Sequence, residues 1–203
     1  MKYHRIDSSL FIKNRLKFSE CMHSNSLAVF NSNDIYPVSA DSTLPFQQHR
    51  DIFYLSGVDQ EESILVLFPE ANNPAHKEIL FLRETNDLIA IWEGEKLTKQ
   101  AAFDTSGIKT VYWLQQFPTI FKQLMAEASG IYLNTNEHLR ATTDVETRED
   151  RFIKQVKSDF PAHQVYKSAP ILHKLRSIKE QIELELMQRA CKITESGFRR
   201  ILG

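Results

Sequence analysis

Four short, uninterrupted apolar runs constrain this chain more than any other feature: Leu27-Ala28-Val29-Phe30 and residues 64–68, 79–82 and 131–133. Each is too short for a helix and carries no polar break, the pattern of a strand buried in a covered sheet. Asn31-Ser32-Asn33-Asp34 forms a turn after the first, and Pro69 stops the second. Helical patterns run between them. Phe11, Ile12, Leu16, Phe18 and Met22 follow the potential caps Asp7, Ser8 and Ser9. Residues 96–103 and 118–128 read as helices, with Pro118 suited to a first turn, and 147–160 places Phe152, Ile153, Val156 and Phe160 on one face before Pro161. Val111-Tyr112-Trp113 adds a strand, and residues 51–57 read as another that ends at Gly57. Strands alternating with helices specify the α/β class, a sheet covered by helices.

The chain has 203 residues, enough for one large domain or one domain and part of a second. Its 42% hydrophobic and 25% charged residues exclude a disordered chain. A formal net charge of −1 argues against nucleic-acid or membrane-surface partners, which favour a basic excess. Cys21 and Cys191 lie far apart without CxxC spacing, so neither a zinc site nor a disulfide framework is indicated. No apolar run approaches the roughly 20 residues that span a bilayer, and no signal-peptide core opens the chain. A reducing, cytoplasmic setting is the expectation.

Nothing in the chain assembles a recognisable catalytic pattern. The seven histidines include no HExxH or HxxxH pair, and GxSxG, P-loop and GxGxxG motifs are absent. Six glycines leave little material for phosphate-cradling loops. The carboxylate groups at Glu61-Glu62 and at 146–150 sit in segments expected to be solvated. No catalytic residue and no metal ligand is therefore nominated. Two strings stand apart from this background: Pro45-Phe46-Gln47-Gln48-His49-Arg50-Asp51-Ile52-Phe53-Tyr54-Leu55-Ser56-Gly57, and Ile91-Trp92-Glu93-Gly94 in an otherwise polar loop. Trp92 is open to two readings, a core anchor or a rim residue facing a ligand or partner.

The last segment is a long amphipathic helix. Ser177-Ile178-Lys179-Glu180 fits a capping box, and Ile178, Ile182, Leu186, Ala190, Ile193 and Ile201 form one apolar stripe. Read from Ile178 to the end, the helix is on the order of 40 Å long. Such a stripe needs a partner, in this domain, in another chain or in further sequence. The expectation is that the partner lies in sequence beyond Gly203.

The 45–57 string resembles the F-R-Q-x-x-D-F-x-Y-L-T-G signature of the amino-terminal domain of Xaa-Pro aminopeptidases, also called aminopeptidase P. Trp92-Glu93-Gly94 resembles the W-x-G that follows it. Residues 170–179, with Glu183, Leu186, Met187 and Ala190, are similar to the linker and first helix that open the family's catalytic domain. Gln47 departs from the family, which commonly has arginine there, and 104–165 matches only in its pattern of elements.

The resemblance implies a mixed, RNase H-like sheet flanked by helices over residues 1–174. It implies that 175–203 form the linker and first helix of a pita-bread catalytic domain. In that domain two aspartates, a histidine and two glutamates hold two divalent metals, often manganese, and all five ligands would lie beyond Gly203. This chain would then bind no cofactor and be no enzyme alone, while its parent removes an amino-terminal residue preceding proline. The domain would shape the substrate cleft and an oligomer, with Trp92 as its substrate-binding candidate. A prolidase or creatinase relative is the nearest alternative. A stand-alone binding module and an RNase H-like nuclease, which needs acids converging at strand ends, are the others.

Overall fold

A computed structural model describes residues 5–138 and 144–202, so His4 and Gly203 lie outside the described residues. The apolar runs become the strands of a six-stranded sheet: β1 (Ser26–Asn31), β4 (Ile64–Leu67), β5 (Glu78–Leu82), β6 (Thr110–Trp113), β7 (Gly130–Leu133) and β8 (Gln164–Lys167), in the order β6-β5-β4-β1-β7-β8. β4 is antiparallel to both β1 and β5, whereas β1–β7, β7–β8 and β5–β6 are parallel. The sheet is therefore mixed and flanked by helices, as expected. A small hairpin, β2 (Pro37–Ser39) with β3 (Ser42–Thr43), lies outside it.

Strand periodicity divides each apolar run between two cores. Leu27, Val29, Ile64, Val66, Ile79, Phe81, Ile131 and Leu133 face one layer. There they meet α5 (Phe117–Glu127) through Ile120, Phe121, Leu124 and Met125, and α6 (Arg148–Asp159) through Val156. Ala28, Phe30, Leu65, Leu67, Leu80, Leu82 and Tyr132 face the other layer. That face is covered by α1 (Ser8–Ser19), α2 (Arg50–Ser56), α4 (Lys99–Ser106) and α7 (Ala169–Ser177), through Phe18, Ile52, Leu55, Ala102 and Leu172. Two remaining helices, α3 (Asp87–Glu93) and α8 (Gln181–Leu202), belong to neither core.

Local chemistry explains most of the boundaries. Asp7 caps α1 by accepting from the Ser9 amide at 2.8 Å, and Thr147 with Asp150 forms a reciprocal capping box on α6. α2 and α4 end alike: Gly57 and Gly107 adopt the left-handed conformation, with φ of 70° and 75°. In each helix the preceding serine hydroxyl bonds back four residues, Ser56 to Ile52 and Ser106 to Ala102.

Several expectations are corrected. Residues 51–57 are not a strand: Ile52, Leu55 and Ser56 bury at helical spacing, His49 caps the first turn and Gly57 terminates it. The α1 stripe is rotated, because Ile12 and Leu16 are exposed while Asn14 and Arg15 are fully buried. Arg15 lies inside because its Nη1 reaches the carbonyls of Leu55 and Ser106, at 2.8 and 2.9 Å, where two helices expose unpaired acceptors. The last helix starts at Gln181, not Ile178. Ser177 closes α7 with its hydroxyl on the Lys174 carbonyl, and Glu183 accepts from the Glu180 amide at 2.8 Å, so the cap sits three residues later than expected. No residue of α8 is buried, and Met187, Ile193, Phe198, Ile201 and Leu202 lie open.

Candidate functional site

The 45–57 string folds into a loop and α2 that knit three parts of the domain together. Gln48 is its fixed point: Nε2 donates to the carbonyls of Val58 (3.1 Å) and Gln60 (2.9 Å), and Oε1 accepts from the His49 amide (2.8 Å). Gln60, itself buried, accepts from the Leu97 amide at 2.7 Å, which ties the string to the segment following Trp92. His49 Nδ1 accepts from the Asp51 amide, and burial holds the imidazole pKa below its ordinary value, keeping that nitrogen an acceptor.

Asp51 is the electrostatic centre of the string. Its carboxylate accepts from Arg176 Nη1 at 2.5 Å and from Asn134 Nδ2 at 3.2 Å. The same guanidinium lies 5.7 Å above the Tyr54 ring. Burial, then the charges of Glu183 and Glu180, push the Tyr54 phenol up to about 12, so it stays protonated. Beside these residues a groove of about 430 Å³ opens between α1, α2 and the start of α8, with Phe11, Phe53, Tyr54, Arg176, Lys179 and Leu186 among its walls. Gln47, where the family commonly has arginine, lies on the groove and accepts through its backbone carbonyl from Asn33 Nδ2 at 2.9 Å.

Trp92 is displayed elsewhere. It is no core anchor: at 85% exposure it projects from α3, with Leu88 and Ile91 exposed beside it. The polar loop expected around it is this short helix. Asn86 caps it by accepting from the Ile89 amide at 2.9 Å, and Glu93 holds Arg83 at 2.6 Å. Trp92 is not among the groove's walls, so the structure keeps the two singled-out strings as separate surfaces.

A polar cluster went unrecognised in the sequence. Glu149 is buried, accepting from the backbone amide (2.9 Å) and Nδ2 (3.1 Å) of Asn31, and burial raises its pKa from 4.5 to about 7 against both bonds. The expectation that 146–150 is solvated fails at this residue. The available signal was its position: Glu149 extends the Phe152, Ile153 and Val156 stripe backward by one turn. Arg148, also drawn inward, has its pKa lowered by desolvation while its Nη1 bonds the Ser32 hydroxyl.

These carboxylates do not fit a metal site. Asp51 is engaged by Arg176 and Asn134, Glu149 by Asn31, and no group of three or more His, Cys, Asp or Glu able to hold an ion occurs among the described residues. Nor is any helix among them long and apolar enough to cross a membrane.

The described residues thus form a mixed α/β layer in which Asp51 and Glu149 are held by neighbouring groups, Trp92 is exposed and α8 contributes no buried side chain. The sequence places it further: residues 11–132, more than half of the chain, match the family model "Aminopeptidase P, N-terminal domain", and the chain belongs to that family. It is 27% identical over 177 residues to human Xaa-Pro aminopeptidase 3, covering 86% of this chain and 34% of that protein. Over 193 residues it is 25% identical to the Xaa-Pro aminopeptidase of Escherichia coli K12, covering 95% and 44%. A Bacillus anthracis structure assigned as an aminopeptidase P superposes with a TM-score of 0.86 at 24% identity, covering 95% of this chain and 46% of that one. The chain thus spans between a third and a half of the length of these relatives.

Proposed function

We propose that this chain is the non-catalytic amino-terminal portion of a metal-dependent Xaa-Pro aminopeptidase, which removes an amino-terminal residue preceding proline. The observation that carries the reading is coverage: the chain aligns over nearly its whole length with relatives named Xaa-Pro aminopeptidase, yet accounts for only 34–44% of them. In this reading residues 1–174 form the accessory domain, and 175–203 form the linker and first helix of the catalytic domain. Two divalent ions, manganese by family resemblance, would be held by the remainder of the parent. The engagement of Asp51 and Glu149 by neighbouring side chains and backbone supports that division.

Trp92 is the proposed contact to substrate or to a neighbouring subunit of a homo-oligomer. A tryptophan left 85% exposed on a capped helix presents a large amphipathic surface with little ordering left to do. The setting proposed is cytoplasmic, with neither nucleic acid nor membrane as partner. A similar protein of Arabidopsis thaliana carries the name intermediate cleaving peptidase 55, mitochondrial.

The test of the division is direct. The chain alone, incubated with manganese and an Xaa-Pro peptide, is expected to release no amino acid above a denatured control, and turnover would refute the reading. In the whole parent, Trp92→Ala should lower kcat/KM by about tenfold or more while changing unfolding stability by less than about 0.5 kcal/mol. A loss of stability with kcat/KM intact would return Trp92 to a packing role.

A further inference from the structure

α8 is a helix of 22 residues with no buried side chain, so its direction is decided at its first turn. Two attachments meet there. On one side Lys13 and Lys17, one turn apart on α1, converge on Glu180: Lys13 Nζ lies 2.6 Å from Oε2, and Lys17 Nζ bonds Oε1. Those two ammonium groups hold the Glu180 carboxyl below its usual range. On the other side Arg176, the penultimate residue of α7, pairs with Asp51 at 2.5 Å and lies over the Tyr54 ring. The four residues between Arg176 and Gln181 are thus pinned at both ends to the same face of the domain, one end to α1 and the other to α2.

We propose that the Lys13/Lys17–Glu180 cluster and the Asp51–Arg176 pair form an electrostatic saddle that sets the direction in which α8 leaves the sheet domain. Asp51 and Glu180 are then positioning residues. The 45–57 string serves to aim the connecting helix, while Trp92 supplies the separate exposed surface. That this direction aligns a catalytic domain rests on the functional reading above; the saddle itself is a property of this chain. Apolar packing at the joint is slight: Ile182 is only half-buried, and Leu186, on the groove wall, is still 36% exposed. The direction of α8 is therefore sensitive to charge and to salt.

The two cysteines provide the measurement without further engineering, because both are exposed. Cys21 follows α1 and Cys191 lies midway along α8. Nitroxides on both report the angle of α8 by electron–electron dipolar spectroscopy. A narrow distance distribution is expected at low ionic strength. Glu180→Lys should widen it by about twofold or more, and adding Lys13→Glu and Lys17→Glu to that variant should restore it. Raising sodium chloride to about 1 M, where the screening length is about 3 Å, should widen it in the unsubstituted chain. The salt arm needs no variant to fold. A broad distribution at low salt overturns the proposal, as does a narrow one that neither salt nor Glu180→Lys alters. Peptidase activity of the chain would refute the functional reading and leave these distances unchanged, so the two ideas fail separately.

Discussion

At Glu149, burial and hydrogen bonding pull in opposite directions. Two bonds from Asn31 and the Arg148 charge favour the carboxylate, while loss of water, with Asp51 adding to it, favours the acid. Desolvation is the largest of these effects, and the folded pKa reaches about 7 against an ordinary 4.5. Because the folded value is the higher one, the native state holds the proton more tightly. Its stabilising contribution is complete below about pH 4.5 and is lost as pH rises through about 7, an effect on the order of 3 kcal/mol. Unfolding midpoints of the wild-type chain should therefore fall between about pH 5 and about pH 8 relative to those of Glu149→Gln. Parallel pH profiles for the two proteins would show that Glu149 remains ionised and solvated.

Among the elements, α2 depends most on one backbone position. Gly57 is left-handed at φ 70°, and a Cβ there would lie 2.3 Å from the Phe11 ring, so its freedom serves both the cap and the seating of α1 on α2. Gly94, which ends α3 at φ 82°, has nothing within 4 Å of a would-be Cβ. Gly57→Ala should thus cost about 2 kcal/mol or more, because left-handed strain and overlap combine. Gly94, with ψ of 166°, lies in a region essentially reserved for glycine, so Gly94→Ala should cost about 1–3 kcal/mol from backbone strain alone. Denaturant unfolding measures both losses, and a loss for Gly57→Ala of under about 1 kcal/mol would mean that Phe11 moves aside freely. The same element misleads a reader of sequence. Ile52, Phe53, Tyr54 and Leu55 suit a strand by residue type, and only the seating of Ile52 and Leu55 on the sheet resolves the period as helical.

For the molecule as a whole, stability is divided unevenly. The strands carry buried side chains on two faces, whereas α8 contributes none to either core. Amide hydrogen exchange in dilute solution should show strong protection in β1, β4 and β7 and clearly weaker protection along α8, which is held by its own helical bonds and its first turn. Protection of residues 190–202 comparable to that of β1 would mean that the apolar stripe is covered by a second copy or by the domain itself.

The sequence by itself determined the class of fold, because five of the six sheet strands and the α1, α4, α5 and α6 helices rest on apolar periodicity and capping chemistry contained within each segment. β8, whose residues are largely exposed, carried no such signal. Tertiary structure alone decided what the polar residues do. Arg15 and Glu149 look solvated in the sequence and are buried because their partners, the Leu55 and Ser106 carbonyls and Asn31, come from distant elements. Trp92 could have been core or surface by composition, and only the packing of the finished sheet left it outside. Local pattern records which face of an element is apolar; whether that face, or a charge beside it, finds a partner depends on contacts between segments far apart in the chain.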